Sequence, residues 1–135
     1  MIVVSQVPAQ LVHQTWPKVE KFFAMVAVHS TQSYSLEQMR TEVFMNRWAL
    51  LTMEQDGIII GAMAMQYQTR MNDRVAYIFT LGGNAISFTN AWDQVKAIFS
   101  KNGATAIEAG VRPSMVRLAR RLGFKAKYQV VGMKL

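Results

Sequence analysis

The sequence contains no cysteine, and only two of its 135 residues are histidine. Without cysteine there is no thiol nucleophile, no thiolate metal site and no disulfide. His13 and His29 stand far apart in the chain, whereas first-row metals want clustered donors, so no metal is expected. No apolar run approaches the ~18–20 residues that span a bilayer. The opening MIVVSQVP lacks the basic start and long apolar core of a signal peptide, so a soluble protein with no membrane partner is expected. There is also no Gly-x-Ser-x-Gly elbow, no Walker loop and no HExxH.

What is present is 51% hydrophobic and 17% charged, the composition of one compact domain over residues 1–135. A chain of this length buries roughly 65–70% of its unfolded surface. The net charge of +7 is unevenly placed. Residues 112–135 carry Arg112, Arg117, Arg120, Arg121, Lys125, Lys127 and Lys134 and no acid, while the rest of the chain is balanced. That asymmetry points to an anionic partner: a phosphate-bearing ligand, nucleic acid or an acidic protein surface. The same residues also fit a solvated basic face. Arg117, Arg120 and Arg121 fall opposite Leu118 and Leu122 at helical spacing and, with Lys125 and Lys127, form the candidate partner-binding surface. Only Phe124 and Tyr128 are at hand for base stacking, so any nucleic-acid contact is expected to be nonspecific and salt-dependent.

Periodicity predicts the element order β, α, α, β, β, β, α, β, α, β. Met1–Ser5 reads as a strand, and Pro8–Thr31 as mostly helical with a break or fresh start at Trp16-Pro17. Ser35-Leu-Glu-Gln38 is a capping box opening a second helix that ends near Asn46. Trp48–Met53 and Ile58–Gln66 are strands joined by the hairpin turn Gln55-Asp56-Gly57, with Gly61 marking a bulge or close approach. Val75–Leu81 is a strand stopped by Gly82-Gly83-Asn84. Trp92, Val95, Ile98 and Phe99 then mark a helix closed by Asn102-Gly103. Thr105–Val111 is a strand parallel to Val75–Leu81, because a helix of this length makes a crossover connection. Met115, Leu118, Ala119 and Leu122 mark a last helix stopped by Gly123, and Phe124–Leu135 a final strand or hairpin.

This order is similar to the GNAT acyltransferase fold, over nearly the whole chain. In that family the last helix often reads Asn-x-x-Ala-x-x-Leu-Tyr-x-x-Leu-Gly-Phe. Arg112-Pro-Ser-Met-Val-Arg-Leu118-Ala119-Arg-Arg-Leu122-Gly123-Phe124 aligns with it without a gap. The resemblance implies an α/β domain with a mixed central sheet, antiparallel strands first and a parallel βαβ crossover later, flanked by about four helices. It also implies acetyl-CoA or CoA as ligand, if the protein is active. Gly82, Gly83, Asn84, Ala85 and Ser87 then stand where the family holds pyrophosphate, with Arg112 and Ser114 helping. Departures are specific. Ala119 replaces the family's Tyr general acid, and a methyl group cannot protonate a leaving thiolate. The loop Leu81-Gly-Gly-Asn-Ala-Ile-Ser-Phe-Thr89 carries no Lys or Arg. Glu108 is the carboxylate the family pattern leaves as a base, and it equally suits a pair with Arg112; Tyr77 is the remaining donor.

The run Ile107-Glu108-x-x-x-Arg112-x-x-x-x-Arg117-x-x-x-x-x-Gly123-Phe124 further resembles small GNAT-like proteins of tailed bacteriophages, some of them head-assembly or virion-associated proteins. That resemblance implies a catalytically degenerate assembly module with no cofactor. Its partners are then phage structural proteins or copies of itself, in the host cytoplasm and the virion. The alternative is a CoA-dependent N-acetyltransferase.

Overall fold

The computed structural model describes residues 1–27 and 34–135; His29 and the expected end of the first helix at Thr31 lie outside them. The elements are β1 (Ile2–Gln6), α1 (Val12–Ala27), α2 (Leu36–Phe44), β2 (Ala49–Gln55), β3 (Ile58–Thr69), β4 (Arg74–Gly83), α3 (Ala85–Lys101), β5 (Ala106–Ala109) and α4 (Val116–Arg121). Short 3-10 turns precede α1 and α4. The five strands form one sheet in chain order, antiparallel from β1 to β4 and parallel between β4 and β5. The α/β fold with a mixed sheet is as the sequence predicts.

The alternation of side chains along the strands divides the core between the two sheet faces. One face packs Leu50, Ala62 and Ala64 against Val12, Trp16, Val19 and Phe23 of α1 and Met39 and Val43 of α2. The other packs Leu51, Met53, Met63, Met65, Ala76 and Ile78 against Phe88, Trp92, Val95 and Phe99 of α3.

Local chemistry explains most boundaries. Ser35 and Gln38 form the expected reciprocal capping box of α2. Asp56 and Gly57 both take positive φ, as a two-residue hairpin turn between Gln55 and Ile58 requires. The predicted break at Trp16-Pro17 is absent: α1 runs through Pro17. A proline inside a helix costs about 3 kcal/mol, but burying each of Trp16, Val19 and Phe23 returns roughly 1.5–3 kcal/mol.

Two further expectations are corrected. β4 does not stop at Leu81 but runs through Gly83, because Gly82 and Gly83 pair with Ala62 and Gly61. A Cβ at Gly82 would lie 2.5 Å from the Phe22 carbonyl oxygen of α1, and one at Gly83 2.7 Å from the Ile60 carbonyl oxygen. These glycines let β4 lie close under α1 and against β3. The predicted last strand is also absent: residues 124–135 carry no regular structure. β5 is four residues long, and Lys127 and Tyr128 meet it through side chains rather than through a backbone ladder.

Gly82→Ala tests the close approach. Overpacking against rigid backbone should cost roughly 1–3 kcal/mol or more, read as a lowered midpoint of thermal unfolding. An unchanged midpoint would show that α1 yields freely.

Candidate functional site

The site begins where β4 loses one of its two neighbours. β4 and β5 pair from Val75–Ala106 to Ile78–Ala109 and no further. The next residue, Phe79, is a bulge: Ala64 faces Thr80 and Met65 faces Ile78, so Phe79 has no partner on β3. A bulge bends its strand and sharpens the twist. β4 therefore follows β3 to Gly83 while β5 parts from it, leaving residues 79–83 without a strand on their second side among the described residues. α3 starts directly beyond, at Ala85, and brings the N-terminal end of its dipole to the same place. The carboxyl ends of parallel strands are where α/β folds hold ligands.

Of the sequence-predicted phosphate residues, Gly82, Gly83, Asn84, Ala85 and Ser87 lie at this end, with different primary tasks. Gly82 and Gly83 serve the packing just described. Asn84 caps α3: its Oδ1 accepts the Ser87 N–H at 3.3 Å and its carbonyl accepts the Phe88 N–H at 3.0 Å. Ala85 is the first residue of α3 and Ser87 its third. Phe88 is buried in the core rather than facing a ligand. Arg112 and Ser114 sit at the 3-10 entry to α4, Arg112 half-buried and Ser114 exposed.

On the α1/α2 face of the sheet, Tyr77 and Glu108 stand directly opposite each other across the β4–β5 pair. Glu108 is 8% exposed. Its predicted pair with Arg112 does not form. The carboxylate instead accepts from Arg70 Nη1 at 2.7 Å, from Lys127 Nζ, and from the Tyr128 hydroxyl at 3.3 Å. Arg70 is braced in turn by Gln68 Oε1 at 2.7 Å. Burial pushes the Glu108 carboxyl upward, but the hydrogen bonds from Lys127 and Arg70 outweigh it and hold the group below the ordinary glutamate range. Burial raises the Tyr77 hydroxyl, with the charges of Tyr128 and Glu108 adding to it. Beside Tyr77 lies an aromatic floor: Phe79 contacts its ring at 5.0 Å and stacks on Trp48 at 4.0 Å, with Tyr34 edge-on to Trp48 at 5.1 Å.

Arg117, Arg120 and Arg121 are exposed on α4, and Lys125 is exposed beyond it. Lys127 departs from the predicted surface, since its ammonium is committed to Glu108. Ala119 is half-buried, and its carbonyl accepts the Phe124 N–H at 3.0 Å. Sequence reasoning missed Arg70 and the bulge, and it offered Tyr128 for base stacking rather than as a partner of Glu108. Arg70 and Glu108 are 38 positions apart, and no local pattern links them.

No protein-family model and no curated protein matches this chain. Solved structures do. An aminoglycoside acetyltransferase from an uncultured soil metagenomic sample, solved with sisomicin, superposes with a TM-score of 0.71 at 13% identity, over 99% of this chain and 95% of its own. The ribosomal-protein-alanine N-acetyltransferase of Brucella melitensis biovar Abortus 2308 gives 0.71 at 9% identity, over 100% and 99%. The aminoglycoside N-acetyltransferase AAC(6')-Iy in complex with CoA gives 0.69 at 10% identity, over 100% and 95%. The chain has the GNAT fold. At these identities the likeness is one of architecture.

Glu108→Gln tests the clamp. Because the folded pKa is depressed, the stabilisation is full above the ordinary range near ~4.3 and is lost as pH falls through the folded value. The variant should lose about 1–2 kcal/mol at neutral pH, discounted because Arg70 and Lys127 remain partly in water. The gap to wild type should narrow as pH drops below about 4, measured by denaturant midpoints against pH. A gap independent of pH would exclude the ion pairs as its source.

Proposed function

We propose that the protein is a CoA-dependent N-acyltransferase, moving an acyl group from a CoA thioester to an amine. The observation that carries this reading is the Phe79 bulge, where β4 parts from β5 beside the start of α3. This lies within a fold shared with acetyltransferases, one of them solved with CoA. The opened edge of β4 suits the amide-bearing arm of CoA. The first turn of α3 offers N–H groups and a positive dipole end to its pyrophosphate. Ser87 N–H is already held by Asn84, so the anion falls to the remaining first-turn groups, with Arg112 and Ser114 at the entry to α4. CoA itself supplies the acyl group activated as a thioester.

The chain's own residues then act mainly by positioning. With Ala119 in α4, the last helix offers no acid at that place. Glu108 is already ionised and stabilised by two cations, which makes it a poor base. The amine must therefore arrive neutral, and orientation supplies the rate. Tyr77, kept protonated by its burial, is the donor we assign to the leaving thiolate, and the proton that the attacking nitrogen loses as the C–S bond breaks and the amide forms restores the tyrosine.

A second reading, a binding module that holds the fold without turnover, is favoured by Ala119 and by the clamped Glu108. A role in bacteriophage head assembly belongs to that reading, but none of the neighbours described above is a phage structural protein.

Calorimetry and thermal shift with acetyl-CoA decide the first question, and CoA release across a panel of amines the second. A cysteine-free chain adds no background to thiol detection. We expect saturable binding, a raised unfolding midpoint and amine-dependent thiol release. No binding at millimolar ligand would overturn the CoA reading, and binding without release would move the assignment to the second. Ser87→Glu separates ligand from fold: a carboxylate in the first turn suits the α3 dipole and leaves stability unchanged or higher. Repulsion of the pyrophosphate should weaken binding by about tenfold, or roughly 1.4 kcal/mol.

A further inference from the structure

At Phe79, where β4 opens, the α1/α2 face of the sheet carries a row of rings. Tyr34, Tyr77 and Phe79 are each half-buried, so the row is open to a ligand. Buried Trp48 backs them, stacked on Phe79 at 4.0 Å, and Tyr34 stands edge-on to Phe79 at 6.0 Å. Rings in offset and edge-on contact form an apolar surface that suits a further aromatic group.

Beside Tyr77 the row meets charge, and the charge does not balance. Two cations, Arg70 and Lys127, meet one carboxylate, Glu108, so the cluster keeps one positive charge. Glu108 is 8% exposed, whereas the Arg70 side chain is 35% and that of Lys127 56% exposed. A ligand on this face therefore meets the cations and not the acid. At the other end of the row, Glu42 accepts the Trp48 N–H through its carbonyl, and its carboxylate is held by Arg47 Nε at 2.7 Å and Nη2 at 2.9 Å. Arg47 is itself fixed to the sheet, its carbonyl accepting from Gln66 Nε2 at 3.1 Å, and Gln66 is the β3 partner of Tyr77. Neither carboxylate beside the rings is left to recognise a cation.

We propose that the acceptor is an aromatic amino acid, its ring on Tyr34 and Phe79 and its carboxylate paired with Arg70 and Lys127. The assignment rests on the acyl-transfer reading above and gives that reading its substrate class. Phe79 and Tyr77 are two residues apart on β4, roughly 7 Å, so one small molecule reaches from the opening to the cluster. Its neutral nitrogen bonds to the thioester carbon, the C–S bond breaks, and one N–H proton passes through Tyr77 to the departing sulfur. The products are the N-acyl amino acid and the CoA thiol. A polycation such as sisomicin, the ligand of a neighbour with the same fold, is refused here, because the exposed charge has its own sign.

The test offers L-phenylalanine, L-phenylalaninamide and sisomicin to the protein with acetyl-CoA and follows thiol release, each rate expressed per unprotonated amine. Phenylalanine should exceed its amide at least about tenfold in kcat/KM, chiefly through KM, and sisomicin should give no turnover. Arg70→Gln should bring acid and amide within about twofold of each other, and Arg70→Lys should restore part of the preference. A merely structural role for Arg70 would lower both substrates together. Binding is read separately, without CoA, from the thermal shift given by N-acetyl-L-phenylalanine and by N-acetyl-L-phenylalaninamide. The acid should raise the unfolding midpoint saturably, the amide should not, and Arg70→Gln should abolish the difference. Equal binding of acid and amide, or turnover favouring the amide or sisomicin, would overturn this assignment and leave acyl transfer standing. Acid-selective binding with no thiol release to any amine would keep the site and overturn acyl transfer.

Discussion

Strand β4 cannot keep both of its neighbours, and the place where it gives one up arranges the rest of the molecule. Its ladder with β3 is continuous to Gly83 apart from one bulge, while its ladder with β5 ends at Ile78, the residue before that bulge. Glycines at 61, 82 and 83 let β3, β4 and α1 approach closely on one side of the break, where no Cβ is accommodated. β4 stays paired with β3 past the bulge and parts from β5 before it, so the opening lies on the β5 side. The assigned ligand path follows from this unequal hold.

Around β5, electrostatics substitutes for hydrogen-bonded strands. One carboxylate, Glu108, gathers Arg70 from the β3–β4 turn and Lys127 and Tyr128 from the C-terminal segment. A buried carboxylate without cations would be costly. With two of them it becomes the fastening of an otherwise unpaired segment. The same arrangement sets the chemistry, since a carboxylate stabilised in its charged form has little appetite for a proton. A residue that looks like a base in the sequence therefore serves as an anchor in the fold.

Much of the architecture was legible because it rests on local rules. The capping box at Ser35 and Gln38, the Asp56-Gly57 turn and the helix stops at Gly103 and Gly123 depend on residues a few positions apart. The parallel crossover followed from a helix standing between two apolar runs. The errors share one cause. Pro17 was read as a break because local propensity was weighed without the burial of Trp16 and Phe23, and residues 124–135 were read as a strand because alternation says nothing about a partner. The bulge at Phe79 is a mismatch between two strands, so neither strand alone reveals it.

The sequence by itself determined the element types and their order as far as α4, the crossover and the concentration of positive charge near the C-terminus. It also determined the absence of thiol chemistry and of a tyrosine at position 119. Each is a property of composition or of neighbours within one helical turn or one strand. Only the tertiary structure decided which cations hold Glu108, where β4 and β5 part, and which side chain binds the β1 edge. Those outcomes depend on groups brought together from 38 or 90 positions away, as with Arg70 and Glu108 or Gln94 and Val4. Contacts at such separations are selected by the packing of the whole chain, and no short pattern encodes them.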